Sequence, residues 1–257
     1  MRILHSVIQG EGPDLIILHG FLGMGDNWKS HAKKFAQAGY RTHRVDLRNH
    51  GQSFWDDEFS YDLLTDDLLN YMDHHEIEKT IVLGHSMGGK TAMHFACSKP
   101  DRCEKLIVAD IAPRYYPPHH QHIIDGLQAI SPENLKSRTE ADQALAAHFD
   151  ILGLRQFLLK NLYWKTPERL AFRFNLEALS NSLDMIGEPL SGTEQFTGPT
   201  LFLKGEYSEY VTLADHAIIQ VHFPSARIET VASSGHWLHA ENPEGFQHAV
   251  LPFINQG

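Results

Sequence analysis

Residues 80–96, TIVLGHSMGGKTAMHFA, constrain the fold more than any other stretch of the chain. An apolar run meets Gly84-His85-Ser86-Met87-Gly88 without a spacer, and a helical pattern follows at once. A serine forced into so tight a strand-to-helix turn has strained backbone angles and crowded neighbours. Glycine two residues before it and two after removes the side chains that would collide. The turn then projects the hydroxyl clear of the strand, at the N-terminus of the helix. Ser86 is therefore the candidate nucleophile. The competing reading is a glycine-rich turn that carries an inert serine.

Around this turn, short apolar runs alternate with amphipathic stretches. Residues 15–20, 42–47, 80–86, 105–110, 200–205 and 227–232 read as strands, and patterns such as DNWKSHAKKFAQAGY and YDLLTDDLLNYMDHHE lie between them. Strand–helix alternation of this kind predicts βαβ units around a mostly parallel sheet, an α/β fold in a single domain. Gly39 and Pro100 follow two of the helical patterns as stop signals. Residues 114–190 break the rhythm with helical periodicity and no convincing strand. They predict a helical cap inserted before the penultimate strand, over the strand C-termini where open α/β sheets bind ligands, with 1–113 and 191–257 forming the core.

A serine nucleophile needs a base, and the oxyanion it creates needs donors. The stretch LIILHGFLG (15–23) has the early strand–loop position from which the backbone N–H of Phe21 would join that of Met87 in an oxyanion hole. His19 reads as a brace for that loop. The base has to come late in the chain, and SSGHWLHAENP places His236 in a turn after the last strand. His239 and His248 read as packing or surface residues.

For the acid, two positions compete. KLIVAD (105–110) puts Asp110 at a strand C-terminus, next in order after Ser86, although an aspartate there also suits a loop or helix cap. The turn in LFLKGEYSEYV (201–211) carries Glu206, Ser208 and Glu209 but no aspartate. Both Asp110 and Glu206 precede His236, so order does not choose between them. Asp46 reads as a loop residue, and Asp56-Asp57-Glu58 as a solvated charge run.

HGFLG (19–23), DLRNHGQS (46–53), GHSMGGK (84–90), VADIAP (108–113) and SGHWLHAENP (234–243) occur in the order of the α/β-hydrolases. Together they resemble the small serine esterases of the YbfF type, which are related to the mammalian abhydrolase-domain esterases. The likeness runs from about residue 14 to the C-terminus, through FLLKNL (157–162). It implies an α/β-hydrolase fold with its triad aspartate in the D-I-A-P turn, which is Asp110 here, leaving Glu206 as the alternative acid.

The reaction expected is hydrolysis of small to medium acyl esters, extending to acyl thioesters, through a Ser86 acyl-enzyme. The partners are the ester and water, with no metal or organic cofactor. A C–C bond hydrolase or lyase on the same triad, and a hydrolase-fold receptor for a small ligand, are the alternatives. Leu22, Phe157, Tyr163, Trp164, Phe174 and Trp237 are the expected pocket walls.

A net charge of −10 argues against nucleic acid as a partner. No run approaches the length of a membrane span, and the N-terminus lacks the apolar core of a signal peptide. The 2 cysteines, Cys97 and Cys103, form neither a CxxC pair nor a disulfide framework, which predicts a cytoplasmic protein. The histidines of HHQH (119–122) read as solvated loop residues rather than metal ligands. Nothing in the pattern fixes an oligomeric state.

Overall fold

The computed structural model describes residues 2–118 and 120–256; His119 of the HHQH stretch lies outside the described residues. The chain runs β1 (Ser6–Gln9), β2 (Asp14–Leu18), α1 (Lys29–Gln37), β3 (Arg41–Val45), α2 (Tyr61–His74), β4 (Thr80–His85), α3 (Met87–Ser98) and β5 (Cys103–Ala109). There follow α4 (Gln121–Gln128), α5 (Arg138–Ala146), α6 (Leu152–Lys160), β6 (Leu162–Thr166), β7 (Arg169–Phe172), α7 (Leu176–Ser180) and α8 (Leu183–Ile186). The last part is β8 (Thr200–Gly205), α9 (His216–His222), β9 (Ala226–Val231), α10 (Leu238–Glu241) and α11 (Pro243–Ile254).

One 7-stranded sheet has the order β1-β3-β2-β4-β5-β8-β9. All its neighbours are parallel except β1, which pairs antiparallel with β3. The alternation of side chains sorts the core into two layers. Leu15, Ile17, Ile81, Leu83, Ile107, Leu201 and Leu203 face Trp28, Ala32 and Phe35 near and on α1, and Phe246, Val250 and Phe253 of α11. Their neighbours Ile16, Leu18, Val82, Leu106, Val108 and Phe202 face the other way, onto Leu64, Leu68 and Tyr71 of α2 and Ala92, Met93 and Phe95 of α3. Burial on both faces explains why the inner strands read as continuous apolar runs.

The structure adds one strand to those expected and revises the inserted segment. β1 is short and largely exposed, with Val7 39% and Ile8 42% accessible at the sheet edge, so no core pattern marks it. Within 114–190 the expectation of helices alone is incorrect, because Leu162–Thr166 and Arg169–Phe172 form an antiparallel hairpin. The chain turns at Pro167-Glu168, between these two strands.

The two ends of this segment are fastened to each other and to the sheet layer. Tyr116 N–H donates to the Gly187 carbonyl at 2.8 Å, and Leu190 N–H to that of Pro113 at 2.9 Å. The buried Lys90 of α3 donates from Nζ to the carbonyls of Arg114 and Glu188, each at 2.5 Å. Burial, with the Arg114 charge nearby, pulls the Lys90 ammonium down to about 7. No helix among the described residues is long and apolar enough to cross a membrane.

Candidate active site

At the end of β4, Ser86 has φ +54° and ψ −118°, outside the regions an L-residue prefers. Two close approaches hold it there. A Cβ at Gly84 would strike the Gly88 carbonyl, and one at Gly88 would come within 2.5 Å of the Leu18 and His19 carbonyls. Ser86 N–H donates to the Ala109 carbonyl at 3.0 Å, tying the turn to the end of β5.

His236 follows β9 in a turn closed by Gly235 N–H, which donates to Glu241 Oε2 at 2.6 Å. The His236 carbonyl accepts a hydrogen bond from His85 Nε2 at 2.8 Å, so the residue before Ser86 holds the histidine's backbone. The His236 ring reaches Ser86 Oγ from Nε2 at 3.2 Å and Asp110 Oδ2 from Nδ1 at 2.8 Å. Ser86, Asp110 and His236, drawn from three separate strand ends, therefore lie in one hydrogen-bonded row.

Asp110 is fully buried and has φ +54°. A buried carboxylate needs donors, and the end of β8 and the turn after it supply them. Gly205 N–H donates to Asp110 Oδ1 at 3.0 Å, and Ser208 Oγ–H donates to Asp110 Oδ2. Glu206, the alternative acid, is exposed and its Oε2 accepts Ser233 N–H at 2.7 Å. The structure thus puts Asp110, not Glu206, beside His236.

The loop carrying Phe21 presses on the Ser86 turn, since a Cβ at Gly20 would lie 3.3 Å from Ser86 Cβ. Two buried histidines brace that loop. His19 Nδ1–H donates to the Gly20 carbonyl at 2.8 Å while its Nε2 accepts Leu47 N–H at 3.0 Å. His50 Nε2 accepts Leu22 N–H at 3.2 Å. Burial lowers these histidines to about 4 and about 3, which keeps both neutral and able to accept. Asn161, at the end of α6, donates from Nδ2 to the Leu22 carbonyl at 2.8 Å. Met87 begins α3, where the first-turn N–H has no intrahelical acceptor.

A cavity of about 330 Å³, counting its open mouth, adjoins Ser86. Its walls include Met87, Lys90, Ile111, Tyr116, Leu183, Ile186 and Tyr210. None of the six expected pocket residues lines it. Phe174 stacks on Phe172 at 4.9 Å within the inserted segment, Tyr163 lies under the Arg173 guanidinium, and Trp164 is turned outward on the hairpin at 47% exposure. Leu22 is held by its backbone contacts to His50 and Asn161. Phe157 and Trp237 pack on each other at 5.9 Å.

His120 also departs from its expected solvated state, lying half-buried on the cavity wall with its ring 4.9 Å from Phe21. His239 is packed inside, stacked on Trp28 at 4.1 Å, and His248 is exposed. No group of three or more His, Cys, Asp and Glu among the described residues has the arrangement of a metal site.

Ser208, Tyr210, Lys90, His50 and Asn161 carry no local sequence signal of their roles here.

A sequence model described as alpha/beta hydrolase fold matches residues 13–151. The mouse protein named sn-1-specific diacylglycerol lipase ABHD11 is 38% identical over 263 residues, covering 99% of this chain and 85% of that protein. Esterase YbfF of Escherichia coli strain K12 is 32% identical over 254 residues, covering 96% of this chain and 95% of that protein. Among solved structures, a marine microorganism esterase superposes with a TM-score of 0.95 at 38% identity, covering 98% of this chain and 100% of the other.

Proposed function

The chain belongs to the α/β-hydrolase family and is an enzyme of esterase type; from that premise we propose that it hydrolyses small to medium acyl esters through a Ser86–His236–Asp110 triad and an acyl-enzyme. The observation that carries this reading is the row of contacts from Ser86 Oγ to His236 at 3.2 Å and from His236 to Asp110 at 2.8 Å, beside a cavity whose wall includes Met87, Ile111, Leu183 and Ile186. The names of the relatives, an esterase and a diacylglycerol lipase, support an ester carbonyl as the target.

In this mechanism Ser86 Oγ attacks the ester carbonyl carbon while His236 Nε2 takes the hydroxyl proton. The carbonyl π electrons move onto oxygen, and the N–H groups of Phe21 and Met87 stabilise the oxyanion. Asp110 keeps the proton of the neutral imidazole on Nδ1 and stabilises the imidazolium that forms. Collapse breaks the bond to the alkoxy group, which takes the proton from Nε2 and departs as an alcohol. Water, deprotonated by the same nitrogen, then attacks the acyl-enzyme and releases the acid and Ser86. The cavity beside Ser86 receives the acyl chain. The segment 114–190 acts as the cap that walls it. The free thiols of Cys97 and Cys103 fit a reducing compartment, and we place the enzyme in the cytoplasm.

Hydrolysis of p-nitrophenyl butyrate tests the reading. Ser86→Ala should cut kcat by roughly 10⁴–10⁶-fold, the range seen on removal of a triad member. A fluorophosphonate should label wild type once, on Ser86, and leave the variant unlabelled. Turnover retained in Ser86→Ala, or a label on another residue, would remove the serine from the mechanism.

A further inference from the structure

A histidine that relays a proton must keep its ring plane while its charge changes. The bond from Nδ1 to Asp110 fixes one atom of the His236 ring but leaves the ring able to rock about it. A second contact limits that motion. The Tyr210 ring lies against the His236 ring with centroids 3.8 Å apart and planes inclined by only 17°. An aromatic face at that distance attracts a cation and excludes water from one side of the imidazole.

Tyr210 is itself held on several sides. Its N–H donates to Ser208 Oγ at 3.2 Å, and the same hydroxyl donates to Asp110. Its carbonyl accepts the Tyr116 hydroxyl at 2.5 Å, and the two tyrosine rings stack at 5.6 Å. The Tyr116 oxygen in turn accepts Ala112 N–H at 2.8 Å. Beyond it the Arg114 guanidinium sits 3.8 Å over the Tyr116 ring and pairs with the buried Asp215 at 2.7 Å. A continuous stack thus runs from Arg114 through Tyr116 and Tyr210 to His236, anchored in the residues that immediately follow Asp110.

We propose that Tyr210 is a positioning residue for the reaction, its ring holding the His236 imidazole toward Ser86 and presenting a π face to the imidazolium formed when Ser86 gives up its proton. This rests on the reading of His236 as the base. Because Tyr210 also borders the cavity at Ser86, the split between kcat and KM separates positioning from a mere wall. Positioning acts after the ester is bound, so it moves kcat. A wall contact moves KM.

The experiment is steady-state hydrolysis of p-nitrophenyl butyrate by wild type, Tyr210→Leu, Tyr210→Phe, Tyr116→Phe and His236→Ala. Tyr210→Leu should lose roughly tenfold in kcat with KM little changed, the scale of one aromatic or cation–π contact. Tyr210→Phe keeps the ring and should stay within about threefold of wild type, above the Leu variant. Tyr116→Phe leaves Tyr210 and His236 intact but removes the hydroxyl on the Tyr210 carbonyl, and should cost kcat about threefold.

Wild-type kcat in Tyr210→Leu, an equal loss in the Phe and Leu variants, or a change confined to KM would each overturn the proposal. His236→Ala distinguishes the two readings. If it turns over like wild type, the base assignment falls and this proposal with it. If it is inactive while Tyr210→Leu behaves as wild type, only the proposal falls. Should the Leu variant prove unfolded by thermal melting, the Tyr116→Phe kcat decides, with no loss counting against the proposal.

Discussion

β5 and β8 are neighbours in the sheet, with Ala109 opposite Leu203, yet their C-terminal turns are built for different work. The turn after β5 carries one carboxylate, Asp110, fully buried and bonded to His236 at 2.8 Å. The turn after β8 buries no carboxylate and places Glu206 in solvent. In exchange it gives Asp110 the Gly205 N–H and the Ser208 hydroxyl, and lays the Tyr210 ring on His236. The difference lies in where a carboxylate oxygen meets the histidine: Asp110 reaches His236 and Glu206 reaches Ser233 instead. With Asp110 at the end of β5, the neighbouring strand end and its turn become the carboxylate's supply of donors. A buried anion needs them, because solvent cannot reach it.

Breaking the β5 side should have the larger effect. Asp110→Asn keeps the shape and removes the charge, so the histidine loses the partner that sets its tautomer and stabilises its cation. We expect kcat/KM for p-nitrophenyl butyrate to fall roughly 10²–10⁴-fold. Activity close to wild type would mean that the β5 turn is not the acid site and would return the role to Glu206.

Breaking the β8 side should cost less. Ser208→Ala takes one donor from Asp110 and leaves those of Gly205 and His236. A loss of roughly tenfold in kcat/KM is expected, the scale of one hydrogen bond to a charged group. A loss as deep as that of Asp110→Asn would show that the two turns act as one indivisible unit. No loss would reduce the turn after β8 to a spacer.

Much of this contrast could be read in the sequence, and its limits have physical causes. The inner strands were legible because burial on both faces leaves an unbroken apolar run, as in TIVLGH. Ser86 and His236 were nameable because glycine spacing and chain order mark their turns, and the structure brings them within 3.2 Å. Asp110 and Glu206 could not be separated by order, since both precede His236; only the fold shows which one is buried. β1 was invisible because an exposed edge strand of 4 residues needs no core pattern. The hairpin at 162–172 looked helical because alternation over 5 and 4 residues is too short to compete with the helices around it. Apolarity reports burial rather than position: Phe174 meets that need by stacking on Phe172 within the inserted segment. Ser208 and Tyr210 act on groups far away in the chain, so no local pattern could reveal them.

The smallest effect is expected where the two turns differ most in exposure. Glu206 is solvated, and its side chain accepts only Ser233 N–H, in the turn that leads toward His236. In Glu206→Gln the amide oxygen can accept the same N–H, so the hydrogen bond survives while the charge goes. If Asp110 alone serves the histidine, kcat/KM should stay within about twofold of wild type, as for a surface change outside any buried network. Combining it with Asp110→Asn should then add nothing, because the Glu206 carboxylate bonds to Ser233 N–H and to neither Asp110 nor His236. A deeper loss in the double variant than in Asp110→Asn would show that Glu206 steps in when Asp110 fails, and that the β8 turn retains part of an acid's role.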